Sequence, residues 1–505
     1  MLNRRTAILL CFSPLLAEGE KTDIPKGREL LDAAVLAAPG AKPEVAAVAM
    51  RRIGENYFTF SDTKAKQYLK TAFDLSLGIP PADNLLGRER IQASIAGALA
   101  PYGLKDAVAM LKRIDGGSGA YDPRSPAILK VVGLLTGKKQ FDEAIELVNS
   151  LGATGQYPFA AARDIFEHLP KGDFRRAMVF GNAMTAYPAR PALEFGAFLA
   201  GDWDQIPART AEAALRQVVD TVMAMKDDGL PESLGGAKGA VVLGSRQEVE
   251  LFDLMHLLLK QDPKKAEEIL AQKPGLRVAL ARYPEGRQQM GERVSRNWGY
   301  QSSAGEAVET TAYLQAVERI EKVLDVIGDK VTNAEVEQVL ELTKGIPGQE
   351  KRAELLASLA QATADDQPEI ARMLLKKTLA LLDDGKDANA RLNALREVAK
   401  LAHSVNDDEA AWDAIRRMSD TAVAEYKLDT DADNPNTGLV DDWPATNAWR
   451  WTVITAAELF GVAAESVVLK IPDANIALLA RIELAQKLLG RSHVASMTSL
   501  RTPKK

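Results

Sequence analysis

The stretch KQFDEAIELV, Lys139–Val148, decides how the rest of the chain is read. It is a polar turn running into a helical segment centred on Ala144. Two other stretches have the same form. GLKDAVAML, Gly103–Leu111, places Ala107 four residues after Gly103, and KGDFRRAMVF, Lys171–Phe180, centres on Ala177. The spacings are 144 − 107 = 37 and 177 − 144 = 33 residues. A second set recurs later: RAELLASLAQAT from Arg352 and RLNALREVAKLA from Arg391 superpose at an offset of 39, and their partner helices carry Ala371 and Ala411, 40 apart. A helix–turn–helix unit with a period of this length marks an α-solenoid. A helical hairpin cannot cover its own apolar stripe, so it stacks on the next. A small Ala at the recurrent position lets the two helices of a hairpin approach, and residues such as Gly172-Asp173 make the turn.

Helical periodicity extends over nearly all of the 505 residues. In AEAALRQVVDTVMAMK, Leu215, Val218, Val219, Val222 and Met223 fall at i, i+3, i+4, i+7 and i+8, one face of a helix. VELFDLMHLLLK (249–260) is apolar over more than half its surface and is expected deep in a stack. Only AVVL (240–243) and SVVLKI (466–471) read as strands, and both look too short to build a sheet. The expected fold is therefore all-α, an α-solenoid or superhelix of stacked antiparallel helical hairpins.

The fragments GDFRRA (172–177) and FDEAIELV (141–148) resemble the turn and second-helix start of a tetratricopeptide-type repeat. That family forms a right-handed superhelix of hairpins that binds peptides and proteins in its groove, so the resemblance implies a binding scaffold. It covers about three hairpins. The aromatic-Leu-Gly pattern of the family's first helices is missing and the period drifts, so no binding residues carry over.

Composition narrows the function classes. The net charge is −6, and basic residues are scattered without the block that would indicate nucleic-acid binding. No run of about 18 apolar residues stands out as a membrane span. MLNRRTAILLCFSPLLAEGEK has Arg4 and Arg5, a short apolar run from Ala7 to Ala17 and then a polar stretch, the layout of a secretory signal peptide. Cleavage near Ala17 would remove Cys11, the only cysteine, and with it disulfides, thiolate nucleophiles and Cys-ligated metals. It would leave 61 basic and 69 acidic residues, a net charge of −8. The chain is thus expected to be exported, to a bacterial periplasm or beyond, with no transmembrane segment in its mature form.

The expected organisation is a signal peptide (1–17), an N-terminal repeat array (18–228), a Gly-rich loop (229–247), a C-terminal array (248–427), an acidic loop (428–443) and a terminal Trp-rich hairpin with a basic tail (444–505).

Candidate chemistry is sparse. The four histidines form no ligand pair, although Glu250, Asp253 and His256 step along one helix side, where a metal site is conceivable. GGAKGA (235–240) lacks the GK[ST] ending of a phosphate loop, and GGSG (116–119) has no strand before it. Trp443, Trp449 and Trp451, half of the six tryptophans, fall within nine residues and form either a stacking patch or the cap of the last hairpin. Trp449 and Trp451, two apart, cannot share a helix face, which favours packing for at least one. In LDTDADNPNTGLVDDW (428–443), Asp429, Asp431 and Asp433 match positions 1, 3 and 5 of a calcium loop, but Val440 stands where the closing bidentate Glu belongs. No other cofactor is expected.

These features support a non-enzymatic scaffold with a protein or peptide ligand and no nucleic-acid partner. One alternative is a secreted all-α enzyme acting on a polysaccharide or other polymer with carboxylates. The other is a structural repeat protein with a calcium-stabilised C-terminal loop.

Overall fold

The computed structural model describes residues 22–80, 87–117, 122–189, 193–227, 229, 231–235, 238–290, 296–297, 332–344, 346, 349–382, 388–433 and 436–491. The expected signal peptide, the helical pattern at 306–327 and the basic tail lie outside them. The described residues are overwhelmingly helical, an all-α fold with three short strands among them. It divides into two units: residues up to Ile79 together with those from Ser302 onward, and residues Pro80–Gln301. The stretch 229–247, expected as a boundary, lies inside the second unit.

The first unit contains α1 (Ile24–Ala37), α2 (Pro43–Tyr57) and α3 (Asp62–Ser76) from the start of the chain. Its other described helices come from the later part of the chain. They are α16 (Asn333–Thr343), α17 (Gln349–Thr363), α18 (Pro368–Leu381), α19 (Ala388–Ser404), α20 (Asp408–Asp429), α21 (Pro444–Phe460), α22 (Glu465–Val468) and α23 (Ala474–Leu488). Helices α17 with α18, and α19 with α20, are hairpins. The first helix of each touches the first helix of the next, so α17 lies against α19, α19 against α21, and α21 against α23.

Helix α23 packs against α1, and α2 also lies against it. Asp23 N donates to Leu488 O (2.8 Å) at the junction. A Cβ on Gly27 would stand 2.9 Å from Leu489 Cγ, so the close approach of α1 to α23 requires glycine there. One helix pair is thus built from the first and last described helices, and α2–α3 adds the next. The helix from Pro444 through Val468 is long and apolar enough to cross a bilayer by length and composition. Here α19, α20 and α23 cover α21.

The second unit runs α4 (Arg88–Leu99), α5 (Leu104–Leu111), α6 (Ser125–Gly137), α7 (Phe141–Gly152), α8 (Phe159–His168), α9 (Phe174–Ala186), α10 (Leu193–Gly201) and α11 (Ala208–Ala224). Consecutive first helices again touch, α4 to α6, α6 to α8 and α8 to α10. Then come β1 (Glu232–Leu234), β2 (Val241–Leu243), α12 (Arg246–Phe252), α13 (Met255–Gln261), α14 (Pro263–Gln272), α15 (Pro274–Arg282) and β3 (Arg296–Asn297). The strands form an antiparallel sheet in the order β2-β1-β3, with Glu232 opposite Leu243 and Leu234 opposite Arg296. The expectation that AVVL was too short for a sheet is corrected. Leu234, Val241 and Leu243 are buried, and β2 packs on α15, so the sheet's stability comes from that packing rather than from strand length. SVVLKI contributes to α22 rather than to a strand.

The recurrent alanines are only partly as expected. Ala107, Ala144, Ala371 and Ala411 are fully buried. Ala177 is exposed, and Arg176 takes the buried position, 176 − 144 = 32 residues after Ala144 rather than 33. Its guanidinium lies 4.1 Å over the Phe166 ring and donates to Leu169 O (3.0 Å) and Gln205 Oε1 (2.7 Å), so a satisfied long side chain fills the place of a small one. The turn before it is as expected: Gly172 has φ +86°, and Asp173 caps α9 by accepting from Arg175 N (2.9 Å).

Candidate functional site

Helices α19, α21 and α23 lie side by side in the first unit. Arg396 and Lys400 are four residues apart on α19, so both reach toward α21. Trp451 and Glu458, seven apart on α21, lie on the same side of that helix, and Lys487 comes from the last turn of α23. Glu458 Oε2 is 3.5 Å from Lys400 Nζ and 4.0 Å from Arg396 Nη2, and Oε1 is 3.3 Å from Lys487 Nζ. The Arg396 guanidinium is 4.6 Å from the centre of the Trp451 ring, which is 41% exposed. The four charged side chains retain 17–24% exposure, so they are reachable but partly desolvated. Arg396 Nε is buried and has no hydrogen-bond partner among the described residues.

A buried ion network stands nearby. Arg52 of α2 donates to Glu483 Oε1 of α23 (2.7 Å) and to Asp441 Oδ1 (2.8 Å). Arg450 of α21 donates to the same two atoms, at 2.8 and 2.9 Å. Two guanidinium groups and two carboxylates alternate, so the charges balance and the geometry is that of tight charge-assisted bonds. The contacts around Glu458 are looser, and Arg396 and Lys400 share that one carboxylate.

The three tryptophans are not one surface. Trp443 is nearly buried, donates Nε1–H to Gly438 O (3.0 Å) and has Lys42 over its ring. Trp449 is 1% exposed, within the core. Only Trp451 faces outward.

The three loop carboxylates stand in different settings. Asp429 is buried at the end of α20. Its Oδ1 accepts from Asn436 Nδ2 (2.7 Å), and its Oδ2 accepts from Ala445 N (2.9 Å), the first free N–H of α21 after Pro444. Asp431 accepts from Asp433 N (2.9 Å) in an Asx turn, and both of these residues are exposed. Asp441, one residue after Val440, faces Arg52 and Arg450. Beside the loop, burial and the Asp429 charge hold the Glu425 carboxyl above its usual range. Among the described residues no group of three His, Cys, Asp or Glu side chains is arranged to hold a metal ion.

Glu250, Asp253 and His256 do not converge either. The expected single helix at 249–260 breaks between α12 and α13. Asp253 accepts from Arg287 N and Nε (both 2.8 Å), and Glu250 lies 3.7 Å from Arg246. Burial, then the nearby Lys260 charge, holds His256 below the ordinary imidazole range. Within 235–240, the described Lys238 N donates to Tyr283 Oη (2.7 Å).

Sequence reasoning passed over Arg396, Lys400 and Glu458. The cation pair four apart on one helix was available as a signal. Its convergence on a carboxylate from another hairpin was not.

No protein-family model matches the chain, and no curated protein matches it.

Proposed function

We propose that this protein is an exported, non-enzymatic scaffold whose tetratricopeptide-like hairpins stack as an α-solenoid and bind a protein or peptide along the row of first helices. The observation that carries this reading is the face formed by α19, α21 and α23. It presents an exposed Trp451 and loosely engaged cations, whereas the carboxylates of the network beside it are held in tight bonds to arginine. Repeat arrays of helical hairpins use such extended faces to bind partners. Aromatic and Arg side chains are the groups that dominate binding at interfaces.

The test is capture from a bacterial envelope extract with the chain from residue 18 onward, compared with its Trp451→Ala variant. A specific protein retained by the first and lost by the second is the expected result. Recovery of the same proteins with both chains would remove this face from the reading, and recovery of no specific protein would count against the scaffold itself.

A further inference from the structure

We infer that Arg396, Lys400 and Trp451 form a receptor for a carboxylate-bearing segment of a bound polypeptide, with Glu458 as the built-in carboxylate that the segment displaces. The inference rests on the scaffold reading and names the chemistry of its ligand. Three observations lead to it. First, Arg396 and Lys400, two cations four residues apart, share the single carboxylate of Glu458. Second, the Arg396 and Lys400 contacts of 3.5–4.0 Å are longer than the roughly 2.7–2.9 Å of a charge-assisted bond, so Glu458 leaves donor capacity of these two side chains unused. Third, Arg396 Nε–H is buried without a partner among the described residues, and such a donor is costly until something accepts from it.

The helix termini do not account for this charge. A helix C-terminus favours cations only within its last turn. Lys487 lies there in α23, and Lys400 is four residues from the end of α19. Arg396 is eight residues from that end. The Asp408 carboxylate near the same end is taken by His403 Nδ1 (2.7 Å). What remains is a small cationic site beside an exposed indole. That combination suits an acidic side chain next to an apolar one. A nucleic acid needs a longer basic track than this, and the chain's net charge of −6 opposes it.

The experiment measures fluorescence anisotropy of dye-labelled octaglutamate against the chain from residue 18, with octaglutamine and a short single-stranded oligonucleotide as comparison probes. The expected result is saturable octaglutamate binding that weakens steeply as salt rises from about 0.05 to 0.5 M. Lys400→Glu should weaken it about tenfold, with Lys400→Gln as the milder variant if the reversal impairs folding. Glu458→Gln should strengthen it severalfold, because the internal competitor is gone, while lowering the melting temperature. A purely structural cluster would change the melting temperature and leave binding untouched. The inference is overturned if octaglutamate does not bind, if octaglutamine binds equally, if Glu458→Gln binds no tighter, or if the oligonucleotide binds more tightly. Envelope proteins captured without octaglutamate binding would leave the scaffold standing and remove this site. Octaglutamate binding without captured proteins would do the reverse.

Discussion

Arg52 and Glu483 lie 431 residues apart in sequence, and Arg52 Nη1 donates to Glu483 Oε1 at 2.7 Å with both side chains at most 3% exposed. This contact joins α2 to α23, where the two ends of the chain meet. Arg450 and Asp441 complete the network, so α21 and the turn before it are tied to the same point. The junction carries further bonds: Lys42 N to Asn475 Oδ1 (3.0 Å), Arg491 Nη1 to Glu55 O (2.8 Å) and Lys26 Nζ to Glu465 (3.1 Å). The C-terminal helices of the first unit therefore pack directly on the N-terminal ones, and the unit's stability depends on both.

Replacing Arg52 with Met should cost the first unit about 3–5 kcal/mol, because it leaves Glu483 and Asp441 in a half-empty network rather than removing a neutral contact. Urea denaturation followed by circular dichroism measures this. Pairing Arg52→Met with Glu483→Gln should cost less than the sum of the two single changes, since the residues share one network.

This junction also marks how far the sequence could be read. The 3.6-residue periodicity located most helices, and Leu215, Val218, Val219 and Val222 are buried as their spacing required. The turn at Gly172-Asp173 was equally legible, because one positive φ and one N-cap are local properties. Helix α1 carries the same periodicity, with Gly27, Leu30, Leu31 and Ala34 at i, i+3, i+4 and i+7, but nothing local gave its partner, which lies at the far end of the described chain. The one-residue slip that buries Arg176 in place of Ala177 was hidden for a similar reason, since Phe166 and Gln205 supply its partners. For the candidate site, the sequence marked Trp451 but not Glu458, which becomes distinctive only when α19 and α23 stand on either side of it.

Arg124, just before α6, is fully buried. All of its guanidinium nitrogens are bonded: Nε and Nη2 to Asp122, Nη1 to Ile114 O and Thr154 Oγ1, and Nη2 also to Leu151 O. Gly116 and Gly155 make room, as a Cβ on either would fall within 2.1 Å of the guanidinium. Arg124→Lys should destabilise the second unit by about 3 kcal/mol, because an ammonium cannot reproduce the planar fork. Gly155→Ala should be comparably severe. A thermal melt of each variant checks both.

Asp429→Ala should lower stability by about 1–2 kcal/mol, through loss of the cap on Ala445 N and of the Asn436 tether. Asp431→Ala and Asp433→Ala, at exposed positions, should change it by less than about 0.5 kcal/mol. Melts in millimolar calcium and in chelator separate this from a metal role. With both Asp429 oxygens already bonded within the protein, the wild-type midpoints should coincide. A calcium-dependent rise that Asp429→Ala abolishes would instead establish the loop as a calcium site.

His256 gives the second unit a pH dependence of definite sign. Its folded pKa lies below the ordinary 6.5, chiefly through burial and then through the Lys260 charge, against opposing effects of Glu285 and Asp253. The unfolded chain therefore takes up the proton first. Stability from this group is fully present above about pH 6.5 and is lost as pH falls from there toward the folded value. Asp202, whose carboxyl burial holds above its usual range, works in the opposite direction at lower pH. It contributes stability below the unfolded carboxylate range that is lost as pH rises through its folded value. The two effects overlap in a simple acid melt, so the comparison must be with a single variant. His256→Gln should lose less melting temperature between pH 7.5 and 5.5 than the wild type, whatever its starting stability. Equal losses in the two proteins would mean that His256 is protonated as readily folded as unfolded.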